Sequence, residues 1–279
     1  MLDRFDHITI AVNDVDRAVA SYALLLGAPA TWRGHHPELG TRAALFGLSN
    51  AMIEIVGPSG DGPESEGLRA WIAANGEGIS ALAFGTSDAI SCSKTLRERG
   101  VRATPPQDGE AHGDDGRTRT YRVVELSTKN TRGLSLLAVE RAGANALLAQ
   151  VAPSLSGVSA LDHVVIDTAD PDAAIALYRD ALGLRLALDR EVKGTRMLFF
   201  RIGGMTVEVV DHPERGANDA FFGAAYRVRD IDAMHARLQG ERFEVSEVRD
   251  GAKPGTRVFT VRDRTCGVNT LIIRDPARD

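Results

Sequence analysis

Residues 5–28, FDHITIAVNDVDRAVASYALLLGA, and residues 161–184, LDHVVIDTADPDAAIALYRDALGL, repeat one pattern. Each places an Asp-His pair on a short β-branched run, an Asp seven residues after the His, and then apolar residues at helical spacing. In the first copy these are Val15, Ala18, Val19, Tyr22 and Leu25; in the second, Ala173, Ala174, Leu177 and Leu182. Asp14 and Asp170 stand where an N-cap accepts the free N–H groups of a first helical turn. Gly27 and Gly183 stand where the helix must stop. Strand-like runs follow, ending in AALFGLSNAMIEIVGP (43–58) and RMLFFRIGGMTVEVVDHP (196–213). Their turns are marked by Asn50 and by Gly203 with Gly204. The repeated unit reads as β-α-β-β-β.

Two weaker copies complete the chain. ISALAFGTSDAISCSKTLRERG (79–100) and FFGAAYRVRDIDAMHARLQGERF (221–243) align through Asp88 with Asp230 and Leu96 with Leu238, and each leads into further strands. Four units predict two domains. The first spans residues 1–141 (units 1–58 and 78–141) and the second 160–279 (units 160–213 and 219–276). An Ala-, Ser- and Gly-rich linker joins them over 142–159. Residues 59–77 are expected to form a loop and a short helix.

Composition limits the partners. A formal net charge of −5 gives no electrostatic reason to expect nucleic acid or an anionic membrane. No apolar run approaches the roughly 18 residues that span a bilayer, and the N-terminus lacks a basic start followed by an apolar stretch. Cys92 and Cys266 lie far apart without CxxC spacing, so no disulfide framework or zinc knuckle is indicated, and Cys92 reads as a small core residue. A cytoplasmic protein, monomeric or homodimeric, acting on a small molecule is expected.

On these motifs, DHI or DHV on the first strand of a unit and IEI or VEV on its last, the chain resembles the vicinal oxygen chelate superfamily of glyoxalases, extradiol dioxygenases and bleomycin resistance proteins. The resemblance implies an α+β fold in which paired units form curved, half-open barrels with a divalent metal on the concave face. It implies that His7, Glu54, His163 and Glu208 occupy ligand positions, with Zn, Ni, Mn or Fe as the ion. Strand alternation places each His and each Glu on the face opposite its apolar neighbours. A His-Glu hydrogen bond without metal is the alternative.

Units two and four depart from the family. Ala81 and Gly223 stand where a second His is expected, and Leu137 and Ile272 where a second Glu is expected. A third ligand must then come from His112 in the first barrel, and from His212 or His235 in the second. If units one and three paired instead, His7, Glu54, His163 and Glu208 would form one complete site like that of glyoxalase I. His35, His36 and Arg42, in the loop-like segment WRGHHPELGTR (32–42), are candidate substrate contacts, as are Lys253 and Arg257 in GAKPGTRVF (251–259).

The resemblance favours a metal-dependent lyase or isomerase on a small oxygenated substrate, with Glu54 or Glu208 as ligand or proton shuttle, its pKa raised by an apolar pocket. His163 and Glu208 are expected to be the better site, because unit three matches the family motif more closely. A metal-free, drug-sequestering protein is the alternative reading. An Fe(II) extradiol dioxygenase, which needs two His and one Glu on one face, is disfavoured by Gly223 and Ile272.

Overall fold

A computed structural model describes residues 1–141 and 154–275. Unit one contains β1 (Leu2–Ala11), α1 (Val15–Leu26), β2 (Trp32–His36), β3 (Thr41–Gly47) and β4 (Met52–Pro58). After α2 (Pro63–Asn75), unit two contains β5 (Gly78–Thr86), α3 (Ala89–Glu98), β6 (Gln107–Gly113), β7 (Thr118–Glu125) and β8 (Ser135–Arg141). Unit three contains β9 (Val158–Thr168), α4 (Pro171–Ile175), β10 (Arg185–Val192), β11 (Thr195–Ile202) and β12 (Met205–Asp211). Unit four contains β13 (Ala220–Val228), α5 (Ile231–Gly240), β14 (Arg249–Asp250), β15 (Arg257–Val261) and β16 (Asn269–Arg274). The β-α-β-β-β reading holds in all four. Most of the expected linker, residues 142–153, and the last residues, 276–279, lie outside the described residues.

One device starts the helix of every unit. Asp14, Asp88, Asp170 and Asp230 each accept the backbone N–H three residues on, from Arg17, Ser91, Ala173 and Ala233, at 2.9 to 3.0 Å. Each cap is worth about 1 kcal/mol. Gly27 and Gly183 take φ of +72° and +79°, the left-handed conformation that ends the helices of units one and three. In unit three the helix continues from α4 as a π-helical stretch, Ala176–Ala181. That stretch turns both Leu177 and Tyr178 inward, a change of period that no sequence pattern announced.

Units pair in chain order. β1 runs antiparallel to β5, and β9 to β13. The first sheet closes into a barrel, β1-β4-β3-β2-β6-β7-β8-β5, because β2 meets β6 at Gly34–Gly113 and His35–His112. The curved barrel expected of paired units is present, and in this first sheet its edges meet. The second sheet stays open in the order β10-β11-β12-β9-β13-β16-β15-β14, since its last-but-two strand, β14, is two residues long. His7 and His163 therefore lie in different sheets, which rules out one shared four-ligand site. The segment 32–42, read as a loop, contributes strand β2, held on both edges by β3 and β6 despite its Gly and His content.

The helix-covered sides of both sheets share one apolar core, from Phe5, Tyr22 and Phe84 to Tyr178, Tyr226 and Phe259. Polar contacts fix the join. Asn50, at the β3–β4 turn, donates to Leu161 O at 2.7 Å and accepts Leu161 N–H at 3.0 Å, completing the edge of β9. Arg237 on α5 donates to Leu24 O, to Leu25 O at 3.0 Å and to Ser156 O at 3.1 Å. It thus supplies the positive charge that the last turn of α1 lacks.

Candidate active site

A cavity of about 930 Å³ fills the closed barrel. Alternation along each strand decides its walls: His7 and Thr9 from β1, Glu54 and Val56 from β4, and Leu137, Val139 and Arg141 from β8. Helix α2 covers one side with Leu68 and Trp71. The C-terminal unit closes part of the mouth with Arg215, Asp219 and Phe222, the last 49% exposed. A partly buried ion pair, Arg132 Nε to Asp219 Oδ1 at 2.9 Å, ties unit two to the segment that leads into unit four.

The expected pair faces this cavity. His7 Nε2 lies 3.4 Å from Glu54 Oε2, which also accepts the Thr9 hydroxyl at 3.0 Å. Behind it, His7 Nδ1 lies 2.6 Å from Asp6, and Arg141 grips Asp6 through Nη2 at 2.7 Å and Nε at 3.0 Å. Burial disfavours a charged imidazole, but the hydrogen bonds to Asp6 and Glu54 outweigh it and raise His7 to about 9. Burial likewise opposes ionisation of Glu54, yet the His7 hydrogen bond and charge pull it down to about 2. The expectation of a raised carboxylate at Glu54 is thus reversed: a partnered carboxylate in an apolar wall behaves as an ion pair, not as an isolated acid.

Unit three repeats the arrangement more loosely. His163 Nε2 is 3.7 Å from Glu208 Oε2, His163 Nδ1 is 3.0 Å from Asp162, and Arg227 holds Asp162 at 3.0 Å. Here burial does raise Glu208, with His163 only partly opposing it. The large cavity belongs to the His7–Glu54 pair rather than to this one.

A local two-fold relates the halves of each sheet. The register pairs His7 with Ala83 and Thr9 with Ala81, which exchanges His7 with Ala81. By the same operation Leu137, two residues beyond the Ser135 that faces Ala81, corresponds to Glu54, two beyond the Met52 that faces His7. In the second sheet Gly223 faces Asn269, so the counterpart of Glu208 is Leu271. Ile272, named from the alignment, is one residue out of register and faces the core.

None of the reserve ligands arrives. His112 pairs with exposed Glu110 at 3.2 Å and stacks with His35 outside the barrel wall. His212 is exposed, and His235 reaches Ser246 O at 3.0 Å against Phe259. Among the described residues no three His, Cys, Asp or Glu side chains converge as a metal would require. One imidazole and one carboxylate, with Ala81 and Leu137 opposite, do not fit a tightly held divalent ion.

Of the proposed substrate contacts, only His36 lines the cavity. His35 is turned outward by strand alternation, and Arg42 lies near Asp16 and Asp114 at 3.4 and 3.5 Å. Lys253 pairs with Asp275 at 2.5 Å and Arg257 with Asp232 at 2.6 Å, so GAKPGTRVF is tied by ion pairs to the end of β16 and to helix α5 and lies away from the cavity. Arg119 and Tyr121 on β7, absent from the sequence motifs, also line the cavity. Their signal was available in the alternation R-x-Y-x-V along residues 119–123, which places Arg119, Tyr121 and Val123 on the inner face.

The comparisons agree with this architecture. A family model described as glyoxalase-like domain matches residues 5–151, and one described as glyoxalase/bleomycin resistance protein/dioxygenase superfamily matches 160–272. An ethylmalonyl-CoA/methylmalonyl-CoA epimerase of Cereibacter sphaeroides is 31% identical over 116 residues, 40% of this chain and 84% of that protein. A 4-hydroxymandelate synthase variant from Streptomyces coelicolor superposes with a TM-score of 0.72 at 16% identity, covering 98% of this chain and 92% of the other. A hypothetical protein from Staphylococcus aureus superposes with a TM-score of 0.65 at 10% identity, covering 98% of both chains. At those identities the two structures show a common fold. With a glyoxalase-like model matching more than half of it and a second model matching its other half, the chain belongs to the glyoxalase, bleomycin resistance protein and dioxygenase superfamily.

Proposed function

We propose that the protein is an isomerase or lyase that moves a proton next to the carbonyl of a small oxygenated substrate, in the cavity of the N-terminal barrel. The observation that carries this reading is the His7–Glu54 pair: an acid and a base 3.4 Å apart, facing an enclosed space, with the acid fixed from behind by Asp6 and Arg141. The similarity to an epimerase supports the reaction class.

The chemistry follows from the pair. At rest, the Nε2–H of His7 donates to Glu54. A substrate carbonyl oxygen placed between them takes over that hydrogen bond. Glu54 then loses the partner that holds it down, and burial, the largest opposing influence, makes it a stronger base. It takes the proton from the carbon next to the carbonyl. The electron pair of that C–H bond moves onto oxygen, where the imidazolium N–H stabilises it. Return of the proton by Glu54, on the same face, to the former carbonyl carbon of an α-hydroxy ketone, while the adjacent hydroxyl gives up its proton and becomes the new carbonyl, isomerises the substrate; loss of a group from the next carbon, which carries away the proton held by Glu54, cleaves it.

A second reading, ligand binding without turnover, is favoured by the low pKa of resting Glu54, which leaves it little tendency to accept a proton. Hydrogen–deuterium exchange separates the two. Chelator-treated protein in heavy water is incubated with 2-oxo acids, α-hydroxy ketones and acyl thioesters, and the carbon next to the carbonyl is followed by NMR. Exchange by wild type, reduced about a hundredfold or more in Glu54→Gln, is expected. Tight binding without exchange supports the sequestering protein. Exchange that appears only after a divalent metal is added overturns the metal-free pair.

A further inference from the structure

We infer that the cavity carries a carboxylate subsite built on Arg119, which makes the substrate of the proposed reaction an organic acid; this deepens that reading and rests on the same cavity. Arg119 is half-buried on the inner face of β7, with its guanidinium over the Trp32 ring at 5.3 Å. The other basic groups of the lining are already paired. Arg141 holds Asp6 at 2.7 Å, Arg215 lies 3.6 Å from Asp167, and His7 sits between Asp6 and Glu54. Among the described residues, Arg119 has no carboxylate within ion-pair distance. The unpaired acidic groups of the lining, Glu64 and Glu125, are solvent-exposed.

Taking a cation partly out of water is costly unless an anion meets it, so an unpaired guanidinium on a cavity wall points to an anionic ligand. Its flat, forked donor set matches a carboxylate, and the Trp32 face keeps the fork in one plane. Neighbouring groups add donors without adding charge. Tyr121 OH lies 3.4 Å from His36 Nε2, whose other nitrogen is 3.3 Å from the Thr41 hydroxyl. Burial pushes the Tyr121 phenol up to about 12, so it keeps its proton, and burial also lowers His36 toward the neutral form. A monoanion meets the one guanidinium of the lining that, among the described residues, no carboxylate holds. A phosphate dianion would leave a negative charge unmatched beside Glu54.

The test uses Trp32 and Trp71, the only tryptophans of the chain, both of which line the cavity. Their fluorescence is followed while phenylacetate, phenylacetamide and phenyl phosphate are titrated into wild type, Arg119→Gln and Arg119→Lys. Wild type is expected to bind phenylacetate about ten- to a hundredfold more tightly than the neutral amide. Arg119→Gln is expected to erase that preference and Arg119→Lys to keep part of it. Equal binding of acid and amide by wild type, a preference that survives in Arg119→Gln, tighter binding of the phosphate, or no binding of any probe overturns the subsite. The wild-type ratio decides the matter even if a variant misfolds. No turnover is read, so the subsite stands if deuterium exchange fails, and the exchange result stands if the subsite fails.

Discussion

His7 Nδ1 lies 2.6 Å from the carboxylate of Asp6, a residue with no solvent-exposed side-chain surface. That contact orients the imidazole so that Nε2 faces Glu54 and the cavity. It also makes Asp6 the hinge of two ion pairs, because Arg141 holds the same carboxylate. Asp6→Asn keeps the shape but leaves Arg141 buried without a counter-charge. The expected loss is about 3 kcal/mol of stability, measured by urea unfolding. A change below about 1 kcal/mol would show that Arg141 finds another partner.

The pair also sets the pH dependence of stability. His7 rises from 6.5 to about 9, so its contribution is fully present below pH 6.5 and is lost as pH climbs through 9. Glu54 falls from 4.5 to about 2, so its contribution is present above pH 4.5 and is lost as pH drops toward 2. Asp6 is lowered as well and adds to the acid limb. Thermal unfolding is expected to show a plateau between about pH 4.5 and 6.5, with His7→Gln removing the alkaline decline. An alkaline decline unchanged in His7→Gln contradicts the assignment.

Much of this was legible in the residues, and the exceptions have physical causes. The four Asp caps, the helical stripe of α1 and the inward-facing His7 and Glu54 are local facts of spacing, and spacing is what a sequence displays. Closure of the first barrel was not legible, because it depends on β2 meeting β6, a contact between segments some 78 residues apart whose Gly and His residues give no strand signal. Glu54 was misjudged because its ionisation depends on the 3.4 Å approach of His7, whereas the apolar neighbours alone suggested a raised pKa. The counterpart of Glu208 is Leu271 and not Ile272, because in a strand one residue exchanges the core face for the cavity face.

If the missing donors explain the poor fit to metal, restoring them should create a site. The double substitution Ala81→His, Leu137→Glu places an imidazole and a carboxylate at the two-fold mates of His7 and Glu54. Isothermal titration with Zn(II) is expected to show stoichiometric binding by the double variant at micromolar protein and weak binding by wild type. Equal affinities would mean that the wild-type pair binds metal unaided.

Arg237 is expected to couple the units. Arg237→Ala removes the donors to Leu24 O, Leu25 O and Ser156 O, while the Gly27 backbone cap of α1 remains. A loss of about 1–3 kcal/mol is expected by chemical denaturation, with wild-type secondary structure retained in circular dichroism. No measurable loss would place the stability of the join in the apolar core alone.

His7 and Glu54 form a hydrogen-bonded ion pair where the superfamily resemblance implies metal ligands. Long-range ¹H–¹⁵N correlation spectra of the histidine rings at pH 7 test this most directly, with His7 assigned through the signal lost in His7→Gln. Both ring nitrogens of His7 are predicted to carry protons, and to begin titrating only as the pH approaches 9. A neutral ring at pH 7, or an Nε2 shifted by a bound metal in protein purified without added ions, would contradict it.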